Sequence, residues 1–421
     1  MSKKVLVAGA GASGLMAAYS AAAAGALVTV AEKNEKAGKK IYITGKGRCN
    51  LTNNCDRDSF LRHVVTNPKF LYSAINAFDA EDTMTLFESL GCRLKTERGN
   101  RVFPVSDHAS DVTGALVAGL RDKGAEIRYD TAVSEILHGD GSVTGVKTAD
   151  GEMINADCVI ICTGGLAYPS TGSDGDGYRF AEETGHRVTD RCPSLVRLRT
   201  TEDHPSRLQG LSLKNVKLTL KAGKKTLYSE TGEMLFTDDG LSGPLVLSAS
   251  AWYALNKAKY DGFEIHIDLK CGSDREKLDS RVLSLLSEMK NRSVANALVS
   301  FLPRSLLSVV LEMSGIDGDE RSRDVTREER MRLLDSVKDM TFSVLGSGPF
   351  TEAVITHGGV DVRDVDPHTM ESKLVKGLYF CGEVLDTDAL TGGYNLQTAW
   401  STGYLAGTSA ACGGRAGRQT G

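Results

Sequence analysis

Gly9-Ala10-Gly11-Ala12-Ser13-Gly14 carries the spacing G-x-G-x-x-G, and its chemistry is that of holding linked phosphates. Gly9 makes a tight turn, Gly11 admits a pyrophosphate to the backbone, and Gly14 lets a helix lie against a strand. Ala12 and Ser13 stand in the turn that leads into a helix, whose free N-terminal N–H groups face the anion. Glu32, further along, is the acid that accepts from adenosine ribose hydroxyls. A second cluster lies near the other end: Gly382 and Glu383, then Gly392-Gly393-Tyr394-Asn395-Leu396. There two glycines admit a ring, and the following helix offers unpaired N–H groups. His357 is a candidate proton donor near neutral pH. So is Tyr394, whose hydroxyl could protonate a carbanion. Each motif also has a plainer reading: a helix–strand contact without ligand, a glycine-rich cap, a packing histidine, a tyrosine lid.

The elements that must position these residues are legible. Val5 to Ala8 is an apolar strand, Leu15 to Ala24 a helix, and Ala26 to Ala31 a second strand ending at Glu32. Helical patterns follow at 83–90 and 111–123, then a strand from Glu126 and a meander over 132–147. Cys158 to Cys162 is wholly apolar and runs into Thr163-Gly164-Gly165, as a parallel strand reaching a cofactor's edge does. Period-two alternation at 195–198, 216–220 and 263–267 predicts an antiparallel sheet or barrel. Residues 274 to about 340 are charged and helical in pattern, with Leu278, Val282, Leu285, Leu286 and Met289 on one face. Residues 377–383 form another strand. This order predicts an α/β fold: a discontinuous Rossmann-type dinucleotide-binding domain (1–190 and 345–421), of the FAD kind given the second glycine–acid cluster, interrupted by an insert with a small antiparallel sheet or barrel (191–273) and a helical part (274–344). The tail from Gly413 is Gly/Arg-rich and is expected to fray.

With 421 residues the chain exceeds one ordinary core. Its formal charge of −4 draws it to neither nucleic acid nor anionic lipid. Ser2-Lys3-Lys4 leads straight into the first strand without a signal peptide, and the Ala-rich stretch 17–31 is helix plus strand rather than a membrane span. Nine cysteines without C-x-x-C or zinc spacing predict no metal and a reducing cytoplasm.

Gly38-Lys39-Lys40-Ile41, Thr44-Gly45-Lys46-Gly47-Arg48-Cys49-Asn50-Leu51-Thr52-Asn53, Gly240-Leu241-Ser242-Gly243-Pro244 and the segment 370–403 resemble the BaiN/YhiN-like flavoproteins, a family also described as NAD(P)/FAD-dependent or aminoacetone-oxidase-like. The likeness spans nearly the whole chain. It implies a Rossmann-type FAD-binding domain interrupted by an insert with a small antiparallel β-barrel and a helical subdomain, and it implies FAD, with Glu32 and Lys33 by the adenosine ribose and Val133 at the adenine. Lys40, Gly47, Arg48, Cys49 and Asn50 would lie along the pyrophosphate and flavin, and Thr163 and Gly164 near the ribityl chain. Gly382, Glu383, Asp388, Gly393, Tyr394, Asn395 and Leu396 would lie near the flavin. In that setting the Arg48 fork would neutralise pyrophosphate charge, and N–H groups at 395 and 396 would stabilise a negative flavin.

The remaining candidates weigh less. Cys49 and Cys55 are spaced one residue wider than a flavin disulfide-reductase pair, and no second dinucleotide turn accompanies them. Asp174 and Asp176 read as helix caps. Arg321, Arg323, Arg327, Arg330 and Arg332 read as a solvated face, Trp252 and Trp400 as core. The expected function is hydride transfer between flavin N5 and a small organic substrate held between the FAD domain and the insert. The family implies NAD(P)H-dependent reduction of a conjugated C=C bond in an oxo-steroid or bile-acid-like substrate, with NAD(P)H bound transiently. An O₂-using oxidase of small amines, and a non-catalytic flavin sensor or partner protein, stay open.

Overall fold

The structure is a computed structural model whose described residues are 2–413; the Gly/Arg-rich tail lies outside them. The chain divides into two units, residues 1–193 with 350–421, and residues 194–349.

The first unit is built on a five-stranded parallel sheet in the order Leu378–Phe380, Cys158–Ile161, Lys4–Ala8, Leu27–Ala31, Glu126–Arg128. The three central strands are largely buried, as strands of a covered parallel sheet are. The helix Ala12–Ala23 begins directly after the glycine turn, three residues earlier than its apolar pattern suggests. It packs against the helix Tyr394–Cys412 with almost no gap: a Cβ on Gly403 would stand 2.5 Å from the Ser13 carbonyl oxygen, and one on Gly407 2.1 Å from that of Ala17. The glycines allow the two backbones to touch. Trp400, fully buried, donates its indole N–H to the Leu51 carbonyl at 2.9 Å. An antiparallel meander (Val133–Gly139, Ser142–Thr148, Met153–Asn155), a small sheet of Thr52–Asn53, Arg101–Pro104 and Leu94–Glu97, and the short strand Ile355–His357 also belong to this unit.

The second unit is a closed antiparallel barrel in the order Leu198–Thr200, Gly240–Ser242, Lys225–Phe236, Ser212–Ala222, Phe263–Asp268, Met340–Ser347. Four helices lie between the last two of these strands in sequence: Arg275–Glu288, Val294–Ala297, Arg304–Met313 and Arg327–Lys338. The barrel is therefore closed by a strand that begins inside the stretch read as helical. The strand expected at 195–198 starts only at Leu198, because Leu195 takes a left-handed φ of 52°. Gly240 is required there, since a Cβ would stand 2.1 Å from the Leu198 carbonyl oxygen of the paired strand. Met289 does not join the buried face; it caps the helix that ends at Glu288 and stays exposed. Arg330 is not on a solvated face either, as its guanidinium is largely buried on Asp279 at 2.6 Å. Among the described residues no helix is long and apolar enough to cross a membrane.

Candidate functional site

The carboxyl ends of the parallel strands gather most of the predicted site residues. Gly9 turns with φ 103°, and a Cβ there would meet the Cys162 carbonyl oxygen at 2.8 Å. Gly14 lies tighter still, 1.9 Å from the Gly9 carbonyl oxygen by the same measure. A Cβ on Gly11 would meet nothing within 4 Å, so this side of the turn is open. The helix behind it has no side-chain cap, leaving its first N–H groups for a ligand. Glu32, buried at the strand end, accepts from Ala10 N–H at 2.7 Å and from Asn34 N–H at 2.8 Å. Its oxygens keep further lone pairs for hydroxyl donors. Thr131 N–H donates to the Glu32 carbonyl at 2.9 Å, which brings the start of the Val133 strand beside it.

Lys33 is paired with two acids. Its ammonium lies 2.6 Å from Asp174 and 3.0 Å from Asp176. Burial opposes the charge, but the two carboxylates outweigh it and raise the pKa. The two acids thus serve Lys33; the helix Asp176–Glu183 starts from Gly175 without a side-chain cap.

A second set of contacts joins the C-terminal pole to the first turn. A Cβ on Gly382 would stand 2.4 Å from Ser13 Oγ, so only glycine leaves room for the Ser13 side chain here. Glu383 Oε2 accepts from Lys40 Nζ at 2.5 Å, and its Oε1 accepts from Thr356 N–H at 2.9 Å. Thr356 Oγ1 in turn accepts from Leu166 N–H at 2.8 Å and Ala167 N–H at 3.2 Å. This buried threonine clamps the Thr163-Gly164-Gly165 turn to Glu383. The sequence reading missed it, although a polar residue after the apolar Val354-Ile355 was a signal. Leu51 to Asn53 press on the C-terminal helix: Thr52 Oγ1 donates to Gln397 Oε1 at 2.6 Å. Gly393 caps that helix without a side-chain bond. The Asn395 amide is spent on bracing its own loop, donating to the Ala389 carbonyl at 2.8 Å and accepting from Ala389 N–H at 2.9 Å. What Asn395 and Leu396 can offer a ring is therefore backbone.

Of the two candidate proton donors, His357 has the more polar setting. Its Nδ1 lies 3.3 Å from Asp388 Oδ1 and 3.4 Å from Thr66 Oγ1. Burial raises the pKa of Asp386 nearby, with His357 working against it. Tyr394 is stacked on His63 at 4.3 Å and packed by Phe60 at 5.8 Å. Its hydroxyl is pushed up to about 12, by burial first and Cys55 second.

The glycine-rich 44–50 loop is strained. Gly45, Lys46, Gly47 and Cys49 all have positive φ, between 59° and 86°. For Lys46 and Cys49 this costs roughly 1–2 kcal/mol each. Cys49 is fully buried, and burial first, then Cys92, pushes its thiol pKa up. Arg48 is held by two carboxylates. Its Nη2 lies 2.5 Å from Glu97 Oε1, and its Nε donates to Asp107 Oδ1 at 2.8 Å. The guanidinium covers Phe103 at 4.2 Å, and Lys95 joins Asp107 at 2.8 Å. Glu97 holds the Arg48 pKa up first and Asp107 second, while both carboxyls sit below their ordinary range.

These residues suit a flavin dinucleotide. The open face at Gly11 and the uncapped helix fit a diphosphate, and Glu32 fits a ribose. Asn50 Oδ1 and Thr163 Oγ1 are buried without a hydrogen-bond partner among the described residues, which is unusual unless a ligand serves them. Among the described residues no group of three or more His, Cys, Asp or Glu side chains is placed to hold a metal ion.

Comparison with known proteins agrees with this geometry. Residues 3–409 match the family described as HI0933-like protein Rossmann domain. The chain is 34% identical over 413 residues to a 3-dehydro-bile acid delta(4,6)-reductase of Clostridium scindens, covering 97% of this chain and 99% of that protein. It is 31% identical to a ribosomal RNA dihydrouridine synthase of Haemophilus influenzae, covering 96% and 97%. Among solved structures, the 3-ketosteroid delta1-dehydrogenase of Sterolibacterium denitrificans shares the fold at TM-score 0.53 and 12% identity, covering 98% of this chain and 100% of that one.

Proposed function

The chain belongs to the HI0933-like family and is an oxidoreductase of the FAD-binding type, and from that premise we propose that it reduces a C=C bond conjugated to a carbonyl. The observation that carries this reading is what the two named relatives share. A delta(4,6)-reductase of a 3-oxo bile acid and a dihydrouridine synthase both add hydrogen across a C=C bond beside a carbonyl. The substrate class we favour is an oxo-steroid or bile-acid-like molecule, after the more similar relative. The same chemistry on a uracil ring is the second reading, favoured by the Haemophilus relative and opposed by the acidic balance of the chain.

When bound, FAD supplies the hydride chemistry. The protein holds it. Backbone N–H groups after Gly11 take the diphosphate, and Glu32 takes the ribose. Asn50 and Thr163 bring unpartnered oxygens, and N–H groups at 395 and 396 supply positive potential. The remaining need is a proton for the carbon alpha to the carbonyl. We assign it to His357, which Asp388 orients through Nδ1, in preference to the stacked and weakly acidic Tyr394. NAD(P)H is the proposed donor, binding transiently, in a cytoplasmic setting.

The test is anaerobic. NADPH or NADH should bleach the yellow protein, and a steroid enone should restore the colour. Restoration by unmodified ribosomal RNA instead moves the assignment to the uracil reading. Bleaching by a small amine but by neither nucleotide would replace the reductase with an oxidase.

A further inference from the structure

The 44–50 loop and the cluster beneath it point to a role for Arg48 that differs from phosphate binding. We infer that Arg48 is a positioning residue, a strut that fastens the strained loop to Glu97 and Asp107 so that Asn50 and the loop backbone face the cofactor cleft. This rests on FAD occupying that cleft.

The guanidinium has little left to give. Nε donates to Asp107, Nη2 reaches both Glu97 and Asp107, Nη1 lies 3.4 Å from Glu97, and one face covers Phe103. Arg48 and Lys95 balance Glu97 and Asp107 in charge, so the cluster as a whole offers a diphosphate no net attraction. The loop does need fastening. Its own backbone bonds are few: Cys49 N–H to the Thr44 carbonyl at 2.9 Å, and a longer 3.3 Å bond from Arg48 N–H to Gly45. Ala109 N–H adds one bond to the Gly47 carbonyl at 3.0 Å. Two non-glycine residues at positive φ would relax if released. On one side of the loop, Gly38 N–H donates to the Ala10 carbonyl at 2.8 Å, which ties the preceding segment to the dinucleotide turn. On the other, Leu51 and Thr52 hold the C-terminal helix. The loop thus spans the two poles of the cleft, and Asn50, with its unpartnered Oδ1, lies at the C-terminal end of the stretch that Arg48 anchors.

The two roles make opposite predictions for the carboxylates. If Arg48 is a strut, Glu97→Gln with Asp107→Asn releases the loop as surely as Arg48→Met does. If Arg48 binds phosphate, neutralising its competitors leaves FAD affinity intact or improves it. FAD is titrated into cofactor-free protein by fluorescence quenching. Alongside, the alkylation rate of Cys49 in the folded, cofactor-free protein is read by peptide mapping, because this buried thiol reports loop opening directly. The strut predicts about tenfold weaker FAD binding and faster Cys49 alkylation in both variants. It also predicts little further loss when they are combined, and partial recovery in Arg48→Lys, which keeps one ion pair. Wild-type or tighter FAD binding in the carboxylate variant, with loss only in Arg48→Met, overturns the strut. Unchanged Cys49 protection in every variant overturns it too. Should the wild type itself take up no FAD, the cofactor reading fails, and Cys49 protection alone decides the role of Arg48. Glu97→Asp, which keeps the charge, serves as the folding control.

Discussion

Lys40 Nζ lies 2.5 Å from Glu383 Oε2, a bond between residues 343 positions apart in sequence. Both side chains are largely shielded, at 24% and 19% exposure. Removing one partner leaves the other charge half-buried and uncompensated, which costs up to about 3 kcal/mol. Lys40→Met and Glu383→Gln should each lower the urea midpoint of cofactor-free protein, and the double variant should recover part of the loss. Strictly additive losses would show that the two side chains do not act as a pair.

The glycines of the C-terminal helix make a separate prediction. Gly403→Ala or Gly407→Ala forces the helix away from Ser13 and Ala17. Overpacking of this kind costs about 1–3 kcal/mol. Thermal unfolding should shift down by several degrees in each variant; an unchanged midpoint would mean that the helices do not cross where described.

His186 gives a pH dependence. It is buried, with Nε2 2.6 Å from Ser372 Oγ and Nδ1 2.9 Å from Thr184 Oγ1. Burial lowers its pKa, with the Ala181 carbonyl opposing. The unfolded state therefore binds the proton more readily. The His186 contribution is complete above an unfolded pKa of about 6.5 and is lost as pH falls through that value towards the folded one. Urea midpoints measured from pH 7.5 to 5 should fall more steeply for wild type than for His186→Gln. Parallel curves would remove His186 from the account.

The proposed proton donor is open to direct test. His357→Asn should slow enone reduction by roughly 10²-fold or more, at near-constant KM and unchanged bleaching by the nucleotide. Tyr394→Phe should change the rate far less. If the effects are reversed, the stacked tyrosine is the acid.

Much of this was readable from the chain. G-x-G-x-x-G, the apolar 158–162 strand and the strand before Gly382-Glu383 marked the parallel sheet, because strand burial and glycine turns are local properties. The closing barrel strand was not readable: Met340–Ser347 follows four helices, and only long-range pairing with Phe263–Asp268 and Leu198–Thr200 reveals it. Arg48 shows the same limit at the site. Its residue type suits a phosphate, while its ion pairs with Glu97 and Asp107, brought up by a hairpin some fifty residues away, are seen only in the fold. So are those of Lys33 with Asp174 and Asp176. Ion pairing across the fold is decided by topology, which residue spacing does not encode.

The pairing of Ala12–Ala23 with Tyr394–Cys412 has a consequence for synthesis on the ribosome. The helix Ala12–Ala23 emerges long before Tyr394–Cys412 exists. During that interval the barrel unit can finish folding, while the face of the Ala-rich helix that meets Tyr394–Cys412 is left without cover. Nascent chains halted before residue 394 should therefore be the ones that recruit chaperones, and those released beyond residue 412 should not.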